Sequence, residues 1–184
     1  MTRPHSLARL SLALALIAAP PAAAVQYYTD AYTLIADLPD SWHVCMGDGP
    51  EPNHGFWVLM DPGDCKRHYP VAEVAFPMVT FNVGYNVVYE YPTTPAMRAN
   101  ICGRAPAHWS PLRIAGARLM RCNLPAINGL ARIAHFGLRW RKGDTTLAST
   151  EVAIFTQCPP ARMPQCLAVA ATIAARLRDW PQPR

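Results

Sequence analysis

The chain has 184 residues, of which 51 % are hydrophobic and six are cysteine, and its formal net charge is +5. This length fits one domain of ordinary size, and so small a net charge argues against a nucleic-acid-binding protein. The charge is nevertheless divided, since residues 25–97 sum to −7 and residues 98–184 sum to +10, with almost all bases being arginine. Such a chain either pairs its halves on folding or presents two opposite fields to partners.

The first 24 residues have the pattern of an export signal. Arg3 and Arg9 supply a positive start, an apolar run follows over residues 10–19, and Ala22 to Ala24 form a small-residue cleavage site. The apolar run is too short to span a bilayer. The sequence therefore predicts a signal peptide over 1–24, a single domain over 25–184, no membrane span, and a periplasmic or secreted product.

Six cysteines in an exported chain predict three disulfides and no free thiol. Six cysteines allow fifteen pairings. Closure between sequence neighbours is favoured here, because each neighbouring pair flanks a stretch containing glycine or proline. The expected disulfides are Cys45–Cys65, Cys102–Cys122 and Cys158–Cys166.

The amino-terminal half has several β-prone runs. The runs at 32–35 and 42–44 are joined by the turn sequence Leu-Pro-Asp-Ser and predict a strand pair. Residues 46–53 have the composition of a loop, and a strand is expected at 55–60. Residues 79–91 alternate between apolar and polar side chains, which predicts one long strand.

The carboxyl-terminal half predicts helices around a second β region. Thr94 and Pro95 have the pattern of a helix start, and Gly103 ends that short helix. Residues 117–156 predict strands that include a hairpin turning at 141–144, and residues 165–180 have helical spacing. The predicted fold class is α+β, with an antiparallel sheet packed against a carboxyl-terminal helix and one short helix, and with disulfide bonds.

The segment from Tyr32 to Trp42 reads YTLIADLPDSW, a strand that leads into a Pro-x-x-Trp turn. With the antiparallel strands and closing helix that follow, it resembles the small exported α+β proteins of the Mog1/PsbP type. The resemblance covers most of the mature chain and implies a small α+β sandwich. Some proteins of this type are immunity proteins that neutralise toxins in the periplasm, so the resemblance implies a binding or inhibitory role. The cysteines are not part of it.

The sequence contains neither a G-x-S-x-G nucleophile motif nor an H-E-x-x-H zinc motif. We therefore expect a binding module rather than an enzyme, with no cofactor, no metal and no nucleic-acid partner. Two alternatives stay open. One is an envelope hydrolase that uses paired carboxylates, and the other is a periplasmic ligand-binding or assembly factor. The oligomeric state is left open.

An acidic segment is the first candidate for partner recognition. A bridge between Cys45 and Cys65 would gather its carboxylates on one rigid loop, where they suit a basic toxin or enzyme. The same oxygens could hold calcium, although the regular spacing of a calcium loop is missing. The residues in question are Asp48, Glu51, Asp61 and Asp64.

A basic face on the second β region is the other candidate. His135, Arg139 and Arg141 have the same parity in one predicted strand and therefore share a face. We expect this face to be exposed, where it could contact phosphate, peptidoglycan carboxylates or an acidic partner.

Overall fold

The computed structural model describes residues 23–29, 34–46, 55–61, 76–83, 94–114, 116–140 and 149–179. Within these ranges the chain forms ten strands, two α-helices and one 3-10 turn at Pro160–Arg162. The elements are β1 (Ala24–Thr29), β2 (Leu34–Pro39), β3 (His43–Met46), β4 (Gly55–Leu59), β5 (Met78–Val83), α1 (Thr94–Cys102), β6 (Ala107–Ile114), β7 (Ala117–Ile127), β8 (Leu130–Trp140), β9 (Ser149–Cys158), α2 (Met163–Arg176) and β10 (Leu177–Asp179).

The strands form two antiparallel sheets. A seven-stranded sheet has the order β3-β4-β5-β9-β8-β7-β6, and a three-stranded sheet has the order β1-β2-β10. The main core lies where one face of the large sheet meets α2 and the small sheet, because its fully buried side chains include Leu38 from β2, Phe81 from β5, Ile154 from β9 and Ile173 from α2. These layers confirm the α+β class and the packed carboxyl-terminal helix.

A second core lies beneath α1. Met97 of α1 is fully buried together with Ala134 and Phe136 of β8, Cys122 of β7 and Ala153 of β9. Since neighbouring residues of a strand point to opposite faces, α1 covers the face of the large sheet that α2 leaves open. The helix ends before Gly103 as predicted, and Gly103 adopts a positive φ of 57° while its N–H donates to the Ala99 carbonyl at 3.0 Å.

The predicted hairpin in the second β region is confirmed. β8 and β9 pair antiparallel from Ala131↔Cys158 to Trp140↔Ser149. A second hairpin, β7–β8, was not predicted. Its two-residue turn is Asn128-Gly129, with φ values of 50° and 76°, which is the chemistry of a type I′ turn that matches the twist of paired strands.

The predicted strand pair at 32–44 is wrong. β2 and β3 lie in different sheets, because the turn closed by the Trp42 N–H on the Pro39 carbonyl at 3.1 Å carries the chain from one sheet to the other. The partners of β2 are β1 and β10. The predicted long strand at 79–91 is represented by β5, which begins at Met78; its continuation beyond residue 83 lies outside the described residues.

The helix predicted over 165–180 is shorter at its end than expected. It runs from Met163 to Arg176, and the chain then becomes extended so that β10 can pair with β2, with Leu177 opposite Ala36. Arg178 fixes this junction, since its Nη2 donates to Asp37 Oδ2 at 2.8 Å and lowers the pKa of that carboxyl. Leu177 is buried as an apolar residue of a strand rather than of the helix.

Two disulfides link helices to the large sheet. Cys102 of α1 is bonded to Cys122 of β7, with Cα atoms 6.0 Å apart, and Cys158 of β9 to Cys166 of α2, with Cα atoms 6.6 Å apart. Both pairs are those that the spacing favours. Cys45 is also disulfide-bonded, whereas its expected partner Cys65 lies outside the described residues.

Residues 1–22, which are most of the predicted signal peptide, lie outside the described residues. Ala23 and Ala24, at its predicted end, join the small sheet, where the Ala23 carbonyl accepts from the Asp40 N–H at 3.1 Å and Ala24 pairs with Pro39. Within the described ranges, neither helix has the length and apolar character needed to cross a bilayer.

Candidate functional site

Of the four predicted acidic contact residues, the structure describes one. Asp48, Glu51 and Asp64 lie outside the described residues. Asp61 follows β4 and is exposed, and both of its carboxylate oxygens accept from Nη1 of Arg162 at 3.0 Å. Arg162 also donates from Nη2 to the Met60 carbonyl at 3.2 Å. Asp61 therefore forms an intramolecular ion pair with Arg162, and this pair joins the end of β4 to the start of α2.

The predicted exposed basic face is wrong for the two of its residues that the structure describes. His135 is 1 % exposed and Arg139 is 2 % exposed, because β8 lies inside the large sheet with α1 on one face and the main core on the other. Arg139 is ion-paired with Asp179 of β10, so its guanidinium joins the large sheet to the small one. Arg141 lies outside the described residues.

His135 joins β8 to the edge strand β6. Its Nδ1 lies 2.7 Å from Ser110 Oγ, and the same oxygen accepts from the Leu112 N–H at 3.0 Å. Since β6 and β8 are separated by β7, this contact spans two strand spacings. Burial first, and the neighbouring cation of Arg121 second, lower the pKa of His135 to about 4. The imidazole is therefore neutral in the folded protein at physiological pH.

This depressed pKa makes the folded state sensitive to acid. The unfolded chain takes up a proton on His135 near its ordinary pKa of about 6.5, whereas the folded chain does so only near pH 4. The free energy of unfolding should therefore fall between pH 6.5 and pH 4, by on the order of 3 kcal/mol. Urea titrations across this range should show that slope in the parent protein and a much flatter one in His135→Gln. An equal slope in both proteins would contradict this assignment.

The most exposed large apolar side chain in the described ranges lies on the β6–β7 hairpin. Trp109 on β6 is 57 % exposed, and the guanidinium carbon of Arg118 on β7 lies 3.9 Å from the centre of its ring. β6 is the last strand of the large sheet, and Pro111 within it is tolerated because an edge strand needs fewer backbone donors. The register of β6 on β7 shifts between Trp109 and Arg113, as at a β-bulge.

Two positive charges face each other across the strands of this hairpin. Arg113 of β6 pairs directly with Arg118 of β7. Like charges placed opposite each other on antiparallel strands are destabilising. Residues 91–143 contain no Asp or Glu, and among the described residues neither Arg113 nor Arg118 has an ion-pair partner. The repulsion is therefore not relieved within this part of the molecule.

A disulfide holds α1 against the β6–β7 hairpin, and the connection that follows α1 contributes one more cation, Arg104. Cys102, the last residue of α1, is bonded to Cys122 on β7, and Cys122 pairs with Ala107 at the start of β6. Arg104, in the connection between α1 and β6, is exposed. We call Arg104, Trp109, Arg113 and Arg118 the arginine surface. It is an exposed, positively charged surface that contains one aromatic side chain.

Sequence reasoning missed the arginine surface, although the signals were present. The absence of acids between residues 91 and 143 contributes to the +10 charge of the second half. β6 itself was not predicted, because its eight residues, AHWSPLRI, contain a proline and no clear alternation. In the described part of the chain, no group of three or more His, Cys, Asp or Glu side chains could hold a metal ion.

No family model matches the chain, and no curated protein matches it. Among solved structures, it is similar to the PsbP protein of the cyanobacterium Synechocystis (CyanoP), with 11 % identity and a TM-score of 0.41, over 90 % of this chain and 99 % of that one. It is also similar to LpqN of Mycobacterium tuberculosis, a protein involved in cell envelope biogenesis, with 12 % identity and a TM-score of 0.48, over 86 % and 91 % of the two chains. The chain thus resembles PsbP-type proteins, as its opening segment indicates. At these distances neither protein's function transfers to it.

Proposed function

We propose that this chain is an exported binding and inhibitory module that acts without catalysis, and that the arginine surface recognises an acidic region of a protein partner. The observation that carries the proposal is Arg113 opposite Arg118 beside an exposed Trp109. This arrangement weakens the isolated sheet, whereas an acidic partner would turn the repulsion into attraction. Tryptophan and arginine are also the residue types that contribute most at protein interfaces.

The finer proposal is an immunity-type protein, one that covers the active site of a toxin in the periplasm. Three features support it: the export signal that the sequence predicts, the disulfides that suit an oxidising compartment, and a surface that a disulfide holds in place, which lowers the entropic cost of binding. The partner face is acidic in this proposal. Contacts to a basic partner through Asp48, Glu51 and Asp64 would be additional.

The test exploits the opposed arginines. Arg113→Glu places a carboxylate opposite Arg118, so the free energy of unfolding should stay the same or rise by a few tenths of a kcal/mol, while partner binding weakens. Trp109→Ala should weaken binding about thirtyfold, as expected for an interface anchor worth about 2 kcal/mol. Arg176→Glu, an exposed position at the end of α2, makes the same charge change elsewhere and should bind like the parent.

The assay expresses in a periplasm the product of each gene adjacent to this chain's gene, with and without the chain. It scores survival together with binding of the two purified proteins. Protection by the parent and by Arg176→Glu, but not by Arg113→Glu, is the expected result. Failure of the parent to protect would overturn the immunity role. Equal protection by Arg113→Glu would remove the arginine surface from recognition.

A further inference from the structure

A pocket of about 220 Å³ lies in the face of the large sheet, and none of its lining residues belongs to the arginine surface. Its centre is one row of paired residues across four strands. Met78 of β5 pairs with Gln157 of β9, Gln157 with Arg132 of β8, and Arg132 with Leu124 of β7. Cross-strand neighbours project to the same side of a sheet, so the guanidinium stem rises between apolar and amide side chains. The pocket is thus open to solvent but walled on several sides.

No described residue neutralises the charge of Arg132 in this pocket. The side chain of Arg132 forms no hydrogen bond or ion pair with the described residues, and residues 91–143 around it in the sequence contain no acid. On the adjacent strand β9 the acid is Glu151, six residues from Gln157, or roughly 20 Å along an extended strand. A half-buried guanidinium with no counter-charge among the described residues favours an added anion.

The remaining lining residues specify what kind of anion fits. Phe155 supplies an aromatic surface, while Thr80 and Asn82 add polar atoms on β5. The amide of Gln157 is fixed, because its Nε2 donates to the Phe76 carbonyl at 2.8 Å. The volume is below the roughly 300–1,000 Å³ of sites for drug-sized ligands, so it suits a group of the size of one amino acid.

We propose that this pocket binds the carboxylate of a short apolar or aromatic ligand of amino-acid size, with Arg132 as the carboxylate-binding residue and Met78, Leu124 and Phe155 in contact with the apolar body. The planar guanidinium can give two parallel N–H donors to one carboxylate, and this geometry discriminates a carboxylate from an amide. The site is independent of the arginine surface and of the proposed inhibitory role.

The experiment titrates the exported protein with N-acetyl-phenylalanine and with its amide, which differ only in the charged group, and measures heat and backbone amide NMR shifts. The acid should shift residues of β5, β8 and β9 and bind at least about tenfold more tightly than the amide. Two further probes, a tripeptide ending in phenylalanine with a free or an amidated carboxyl end, separate a free small acid from a peptide terminus.

The variants are Arg132→Gln, which should reduce affinity for the acid to that for the amide, and Arg132→Lys, which should retain part of it. Arg98→Gln, on the exposed surface of α1, removes a charge outside the pocket and should bind like the parent. Equal affinity for acid and amide, undiminished binding to Arg132→Gln, or no saturable shift for any probe would overturn the proposal. If Arg132→Gln does not fold, the acid–amide comparison on the parent and on Arg132→Lys decides it.

Discussion

Replacing Gly55 with alanine is expected to destabilise the protein by on the order of 5 kcal/mol, the range reserved for severe steric or packing faults. Gly55 begins β4 with a φ of 145°, and a β-carbon added there would lie 1.8 Å from the carbonyl oxygen of Phe81. That oxygen belongs to the backbone of β5, so it cannot rotate away as a side chain would. β4 would have to separate from β5, which would expose Phe56 and Val58 of the main core.

Gly103→Ala is the matched control for this prediction. Gly103 also has a positive φ, of 57°, but no atom lies within 4 Å of the position of an added β-carbon. The substitution should therefore cost only the left-handed backbone term of about 1–2 kcal/mol. Urea unfolding gives the loss of unfolding free energy for each variant. The loss in Gly103→Ala measures the cost of a positive φ alone, and the loss in Gly55→Ala measures that of a positive φ together with a steric clash. Equal losses would show that β4 and β5 are not paired as described.

The second large effect is expected at Asp179. Asp179→Asn should destabilise the fold by about 3–5 kcal/mol, because it removes the carboxylate charge that is ion-paired with the buried guanidinium of Arg139. The side chain of Asp179 is 63 % exposed, whereas that of Arg139 is 2 % exposed. The cost therefore arises mainly on the arginine side. The change is isosteric, so lost packing does not confuse the result, and chemical denaturation measures it.

A double variant shows whether the buried charge of Arg139 is the cause of the lost stability. Arg139→Met keeps an apolar chain in the same space and removes the charge, so adding it to Asp179→Asn should recover part of the lost stability. Arg139→Met alone leaves Asp179 hydrated at the surface and should be the milder single change. Additive losses in the double variant would contradict a buried ion pair between these residues.

The alternation of β8 shows how far the sequence could be read. Apart from Arg132, its even positions from Leu130 to Trp140 are apolar, and this pattern correctly predicted a strand and its hairpin with β9. The same pattern placed His135 and Arg139 on an exposed face, which is wrong. Alternation reports the polarity of a face, but covering that face depends on α2 and on the small sheet, which are distant in sequence. The cost of burying the Arg139 guanidinium is offset only when the fold brings a carboxylate such as that of Asp179 beside it.

Local sequence signals predicted the ends of helices and the turns better than they predicted which strands pair. Thr94, Pro95 and Gly103 marked α1 correctly, since the features that begin and end a helix are adjacent in sequence. The Asn128-Gly129 dipeptide carried an equally local signal for the β7–β8 hairpin. By contrast, the assignment of β2 and β3 to separate sheets depends on β10, the last described element of the chain. No window around residues 32–44 contains that information.

The candidate site was predictable in composition but not in position. An excess of arginine in the second half indicated anion recognition, and the arginine surface and the Arg132 pocket both have that chemistry. Which arginines are exposed, opposed or unpaired depends on register: Arg139 and Arg132 lie on one strand with opposite parity, and one is buried in an ion pair while the other opens into a pocket.

The position of β9 has a consequence for the order in which this polypeptide can assemble. β9 lies between β5 and β8 at the middle of the large sheet, and β10 completes the small one. In a polypeptide threaded through a membrane amino terminus first, these two strands emerge last. Until they do, β3–β5 and β6–β8 are separate ribbons with open edges that can aggregate. In a chain exported in this way, the large sheet could close only after almost all of the chain had crossed the membrane, and the preceding segments would stay unpaired enough to thread.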